Sequence, residues 1–362
     1  MTEKTPSTDA SKRLLIAASG TGGHLFPAIA TAGQLSDYHI EWLGVPDRLE
    51  TKLVPADYPL HTIDVEGFQQ RFGLGTLKIF SRLLGSVFTC RKLLQTGKFQ
   101  GVFTTGGYIA APILLAARSL SLPVILHESN AMPGKVTRWL SPWCSTVAIG
   151  FDKAAQYLPK AKTVTVGTPV RSNFLSPTPC DLPIPADVPL IVVVGGSQGA
   201  VAVNQLVRRC APAWFAAGAW VVHLTGENDA DALSLEHPQY ITLPFYDNMA
   251  GLLQRSDFAI SRAGAGTLTE LAVTHTPAIL IPYPFAADDH QFYNASVFVD
   301  AGAALLFRQE ELTPETLNTE VLSLLNSPEK LQQMTQNAAS LAVPDSAKQS
   351  AQLVRTSIEV GN

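Results

Sequence analysis

The chain has 362 residues, 46% hydrophobic and 15% charged, with a formal net charge of −4. That is enough apolar material for two cores, and it excludes a largely disordered polypeptide. Its four scattered cysteines show no zinc or redox-pair spacing and fit a reduced compartment. The longest apolar run, from Tyr108 to Ala117, falls well short of the roughly 20 residues that span a bilayer.

Residues 1–12 are polar, lack the apolar centre of a signal peptide, and read as a disordered leader. A first domain is expected over 13–170. Strands are predicted at Leu14–Ala18, His39–Leu43, Leu60–Ile63, Val102–Thr105, Val124–His127, Val147–Ile149 and Thr163–Val166. Helical patterns fill the gaps, notably Leu74–Gln95 and Ile109–Leu120. Such alternation produces a parallel sheet with helices on both faces.

The charge of this half is lopsided. Between Gly67 and Phe151 there are nine basic residues and one acid, Glu128. A solvated basic face explains this as well as attraction to an anionic surface does. Within it, Phe72 to Leu94 mixes apolar residues with Lys78, Arg82, Arg91 and Lys92. The apolar side of that helix could pack on the sheet, or lie on anionic lipid.

A proline-rich stretch over 171–189 suits neither helix nor central strand and reads as a linker. The strand pattern restarts in a second domain, 190–343, at Leu190–Val194, Trp220–Leu224, Tyr240–Leu243, Phe258–Ile260, Ala278–Ile281 and Ala304–Phe307. Three helical segments close the chain, the last over 344–362, in a position to return to the first domain.

Glycine-rich turns after strands carry the chemistry. GTGGH (Gly20–His24) is not a dinucleotide fingerprint, because Leu25 stands where the third glycine belongs. It still offers backbone donors at Thr21, Gly22 and Gly23, suited to phosphate at a helix N-terminus. His24 there is either a solvent-facing helix residue or an imidazole poised to take a proton. GGSQGA (Gly195–Ala200) repeats the device with the hydroxyl of Ser197, and Asn204 follows on its helix.

A third cluster, SRAGAGTLTEL, presents Gly264, Gly266 and Thr267 at a helix start, with Glu270 about one turn in. That carboxylate could accept hydrogen bonds from a ribose diol, or merely favour the helix dipole. In ADDHQFYNA, Gln291 could reach a sugar hydroxyl, and Asp288 to His290 could cap a helix. HESN (His127–Asn130) and GGY (Gly106–Tyr108) end strands of the first half, where ligand crevices form. Arg171, in VGTPVR, could pair with a phosphate or a carboxylate. With no zinc spacing, no Walker sequence and no DxD, no metal or other cofactor is expected.

Taken together and in order, GTGGH, EWLG, TTGGY, LPVILHESNAMPG, VGTPVR, VVVGGSQGA, FYDNMA, SRAGAGTLTE and DDHQFYNA resemble the MurG family, bacterial N-acetylglucosaminyltransferases that make lipid II. The resemblance implies an α/β fold of GT-B architecture, two Rossmann-like domains with a cleft between them. It implies UDP-GlcNAc as donor, lipid I as acceptor, and inverting transfer to the 4-hydroxyl of MurNAc. By position, Thr21, Gly22, Gly23, Asn130, Arg171, Ser197 and Gln291 match donor-binding residues. Ala265, Gly266, Thr267, Leu268, Thr269 and Glu270 match the nucleotide loop. Tyr246 matches a position that holds uracil through its backbone, where an aliphatic residue is often found.

By the same resemblance His24 matches the base or an acceptor-side residue, with Glu128 as a second candidate base and Tyr108 beside the reacting centre. The GTGGH amides could instead cradle the acceptor pyrophosphate. The implied setting is peripheral, on the cytoplasmic face of the inner membrane. Implied partners are an anionic membrane surface and other cell-wall synthesis and division proteins. Nucleic acid is not among them, as no RNP or helix-turn-helix pattern is present. Two alternatives share the features: a UDP-GlcNAc 2-epimerase-like enzyme, and a non-catalytic nucleotide-sugar binding module.

Overall fold

The structure, a computed structural model, describes residues 12–65, 74–196 and 199–361, without the side chains of 74–81 and 361. Ser197 and the predicted leader up to residue 11 lie outside the described residues, whereas the leader's last residue, Lys12, opens the first strand.

The first sheet holds β1 (Lys12–Ala17), β2 (Tyr38–Gly44), β3 (Leu60–Thr62), β4 (Gly101–Thr104), β5 (Val124–Glu128), β6 (Thr146–Ile149) and β7 (Thr163–Thr165). All are parallel, in the order β3-β2-β1-β4-β5-β6-β7. Leu14 to Ala17 are fully buried, as a central strand covered on both faces requires. Helices α1 (Gly22–Ala32), α2 (Glu50–Leu53), α3 (Leu74–Thr96), α4 (Ala110–Ser119) and α5 (Lys135–Leu140) complete this domain.

The second domain repeats the plan. Its strands are β8 (Leu190–Val194), β9 (Trp220–Leu224), β10 (Tyr240–Leu243), β11 (Phe258–Ser261), β12 (Ala278–Leu280) and β13 (Ala304–Leu306). They are parallel in the order β10-β9-β8-β11-β12-β13. Its helices are α6 (Val201–Ala216), α7 (Met249–Arg255), α8 (Ala265–Val273), α9 (His290–Asp300), α10 (Pro314–Leu325) and α11 (Pro328–Ser340). In each sheet the order reverses beside the first strand, which opens a crevice at the carboxyl ends of β1/β4 and β8/β11.

A last helix, α12 (Ser346–Gly361), crosses back to the first domain. Its Ala351, Val354 and Ile358 are buried with Leu14, Ile16 and Phe103. Its Arg355 pairs with Asp37 at 2.6 Å. Chain after the second domain thus completes the core of the first.

The basic segment resolves into two faces on α3. Cys90 and Leu94 are buried in the core, whereas Leu84 and Phe88 are exposed. The Lys78 side chain lies outside the described residues. Among the described residues no helix is long and apolar enough to cross a membrane.

Candidate active site

The first wall of the cleft is built at the ends of β1, β4 and β5. Gly20 N–H donates to the Glu50 carboxylate at 3.2 Å, which also accepts from Val45 N–H at 2.7 Å. Glu50 is fully buried, so this carboxylate fixes the turn into α1. The turn leaves the first-turn amides of α1 pointing into the cleft. Just inside, the His24 Nδ1 lies 2.8 Å from the carbonyl of Thr105. A carbonyl only accepts, so Nδ1 carries the proton and the neutral ring keeps its lone pair on Nε2. Nε2 faces Gly107, where a methyl group would stand 3.8 Å away. Gly107 has φ +75, a backbone state that favours glycine. Tyr108, next in the chain, is 45% exposed at the rim.

Glu128, the second candidate base, is held by its own loop. One of its oxygens accepts from the backbone and side-chain nitrogens of Asn130, both at 3.0 Å, and the other from Gly134 N–H at 3.1 Å. The residue is 6% exposed, and three N–H donors hold its carboxylate. It shapes the loop from β5 to α5 and positions Asn130. His127, also in HESN, is fully buried, and its Nε2 donates to Gly167 O at 2.9 Å.

The second wall is the β11–α8 turn. Gly264 is the extended N-cap of α8, which leaves the amides of Ala265, Gly266 and Thr267 without helix partners. Two residues of this predicted loop do not present side chains to a ligand. Leu268 is fully buried in the core, and the Thr269 hydroxyl donates to Ala265 O at 2.8 Å. Gln291 uses its oxygen to accept from Ala263 and Tyr283 N–H, at 3.2 and 2.9 Å. Its amide NH₂ is thereby aimed for donation.

On the other side of this turn, Glu270 meets Arg171 at 3.3 Å. Burial pushes the Glu270 carboxyl above its ordinary range, and Arg171 opposes that shift. The expected diol acceptor is therefore an ion-pair member.

One further expectation changes. Asp288 and Asp289 do not cap α9; both have left-handed backbones, and no side-chain cap forms. Asp288 pairs with Arg138 across the cleft, and Asp289 with Arg308 at 2.7 Å. The Tyr246 hydroxyl is tied to Asp181 of the linker, which leaves its backbone as the usable group.

Two structural groups were invisible in the sequence pattern. Asn294, fully buried on α9, accepts from Ala131 N–H at 2.8 Å and donates to Asn130 Oδ1 at 3.0 Å and Ala263 O at 3.1 Å. It joins the two walls. Beneath the β8–α6 loop, Asn204 donates to Thr225 O at 2.9 Å and to Asp229 at 2.7 Å, and Arg208 pairs with Asp229 at 2.7 Å. Gly199, with φ +74, sits so close to Thr225 that a Cβ would lie 2.3 Å from its carbonyl. The network therefore supports the floor of that loop.

The cleft is lined from both domains by helix N-termini, a lone-pair imidazole and an amide donor, a set suited to a phosphorylated sugar. Comparison with known proteins agrees in extent and kind. Residues 14–149 match the glycosyltransferase family 28 N-terminal domain, and residues 190–350 its C-terminal domain. A UDP-N-acetylglucosamine--N-acetylmuramyl-(pentapeptide) pyrophosphoryl-undecaprenol N-acetylglucosamine transferase of Trichodesmium erythraeum is 67% identical, over 96% of this chain and 93% of that protein. The protein of the same description in Synechocystis sp. is 64% identical, over 96% and 98%.

Among solved structures, MurG of Acinetobacter baumannii aligns with a TM-score of 0.77 at 31% identity, over 95% of this chain and 99% of that one. A Listeria monocytogenes protein provisionally assigned as a UDP-N-acetylglucosamine 2-epimerase shares the fold alone, at a TM-score of 0.69 and 14% identity over 97% of each. Full-length identity of this order, with both halves of the cleft matched, places the chain in glycosyltransferase family 28, among the MurG enzymes.

Proposed function

We propose that the chain transfers GlcNAc from UDP-GlcNAc to the 4-hydroxyl of MurNAc in lipid I, yielding lipid II for peptidoglycan synthesis. One observation carries the reading: His24, its Nε2 lone pair left open by the Nδ1–H bond to Thr105 O, sits in the first turn of α1, which meets the N-terminal turn of α8 from the other domain. Inverting displacement needs those two things, a proton acceptor on one face of the sugar and stabilisation of the departing diphosphate on the other.

The α8 amides at Ala265 to Thr267 bear the charge that grows on the leaving UDP. Gln291 donates through its NH₂ to a sugar hydroxyl, Asn130 is held against the same space by Glu128 and Asn294, and Glu270 receives the ribose. Tyr246 offers its backbone to the base, and Ser197 adds a hydroxyl to the diphosphate contacts. The amides of Thr21 to Gly23 hold either the donor or the acceptor pyrophosphate. With amide N–H groups in the role a divalent ion plays elsewhere, no metal is required.

The lipid acceptor demands access to a membrane surface. Leu84 and Phe88, exposed one turn apart on α3 in the basic, acid-poor half, support peripheral binding there on the cytoplasmic face.

Labelled UDP-GlcNAc with a short-chain lipid I analogue, with and without chelator, tests the reading. UDP release is expected only when the acceptor is present, and at the same rate in chelator. Conversion of UDP-GlcNAc to its 2-epimer without acceptor would instead establish the epimerase alternative. Donor binding with neither outcome would leave a binding module.

A further inference from the structure

Phe26 lies on α1, two residues beyond His24, and has no polar group to offer a substrate. Its ring nevertheless stands 4.4 Å from the guanidinium of Arg171. Phe174 also lies near that guanidinium, at 5.0 Å, and is 1% exposed in the core of the second domain. Arg171 is thus in contact with a ring from each domain. From there it reaches Glu270 at 3.3 Å. Its Nε is buried with no hydrogen-bond partner. The rings, rather than a second acceptor at Nε, thus complete the surroundings of this cation.

The Phe26 ring is itself confined. Gly22, in the first turn of the same helix, leaves space that a side chain would deny it. A Cβ there would lie 2.7 Å from Phe26 Cε2. The glycine turn therefore does two jobs: it bares amides, and it seats the ring that faces Arg171.

From this contact chain we infer that Phe26 is a positioning residue for donor binding. Through a cation–π contact it sets Arg171, and so Glu270, only when α1 of the first domain is docked against the second. The inference rests on the proposed use of Glu270 by the donor ribose. It adds that half of the donor site's electrostatic frame is supplied by the helix carrying the proposed base. A guanidinium over an aromatic face gains from the ring quadrupole what an aliphatic side chain of similar bulk cannot give.

The test is isothermal titration of UDP-GlcNAc into the whole protein, without acceptor, for the wild type, Phe26→Leu and Phe26→Tyr. Phe26→Leu keeps an apolar helix residue, and unchanged melting temperatures confirm that all three are folded. A partly desolvated cation–π contact predicts about a tenfold weaker Kd for Phe26→Leu, with recovery in Phe26→Tyr. In an Arg171→Ala background, Phe26→Leu should have no further effect. Wild-type affinity in Phe26→Leu, equal losses in Leu and Tyr, or full additivity with Arg171→Ala each overturns the inference. If instead the wild type itself fails to bind UDP-GlcNAc, it is the proposed function that falls.

Discussion

Gly266 of the second domain faces Gly23 of the first so closely that a Cβ on Gly266 would lie 3.9 Å from the Gly23 Cα. The N-terminal turns of α1 and α8 therefore approach one another with no side chain between them. Their amides can then converge on a single diphosphate-bearing ligand. At 3.9 Å a methyl is in ordinary contact, but the branches of a valine are not accommodated. Gly266→Ala should retain activity within a few-fold. Gly266→Val should lower kcat/KM by roughly 5- to 150-fold, the equivalent of about 1–3 kcal/mol of overpacking. Equal activity of the two variants would mean that the turns do not close on substrate.

His24 holds its proton on Nδ1 through Thr105 O, which leaves Nε2 to accept. His24→Ala should reduce kcat by roughly 10²–10⁴-fold, the range for loss of general base catalysis. UDP-GlcNAc affinity should stay close to that of the wild type. Steady-state kcat of both proteins, with titration calorimetry of UDP-GlcNAc, checks this. A wild-type kcat in the variant removes His24 as the base.

Glu270 titrates above the ordinary carboxylate range because it is buried, with Arg171 acting in the opposite sense. The folded value exceeds the unfolded one, so the fold is favoured by the protonated acid and loses stability as pH rises through the folded value. A ribose diol donates to the ionised carboxylate, and donor affinity should rise with pH over the same interval. Glu270→Gln should bind UDP-GlcNAc roughly 10- to 150-fold more weakly, the equivalent of about 1.5–3 kcal/mol for a charge-assisted hydrogen bond. Its affinity should also be flat with pH. Titration calorimetry between mildly acidic and neutral pH reads both effects.

The sheets were legible because runs such as LIVVV and LLIA are buried on both faces and bounded by glycine or proline. Each of the thirteen strands among the described residues falls where such a run was read, with ends displaced by at most two residues. The glycine turns were legible for the same reason. What a side chain does after the turn was not. Glu128 was read as a possible base because an acid ends a strand beside a ligand crevice, yet two backbone N–H groups and an amide occupy it. Nothing local marks Glu50, because its partner Gly20 lies 30 residues away. Asn294 and Phe26 acquire their roles only from contacts across the cleft, and spacing along one chain segment carries no trace of those.

The last prediction concerns the network below the β8–α6 loop. His223 is fully buried, accepts from the Tyr240 hydroxyl at 2.6 Å on Nδ1, and donates from Nε2 to Asn204 Oδ1 at 3.0 Å. Burial depresses its pKa to about 3 from an ordinary 6.5. Between those values the unfolded chain binds a proton that the folded ring refuses. The fold therefore loses up to about 1.4 kcal/mol per pH unit on acidification across that window. Asp229 adds to this at lower pH. Burial works against its carboxylate, but Arg208 and Asn204 outweigh it and hold its pKa below 3.8. Its contribution is complete above 3.8 and is lost as pH falls through the folded value. Urea unfolding from pH 7 to pH 3 should thus show a midpoint that declines steadily. In His223→Gln, which does not titrate, the midpoint should start lower and decline less steeply. Parallel pH slopes for the two proteins would show that His223 remains neutral in the unfolded chain or charges within the fold, and the acid sensitivity would then belong to other groups.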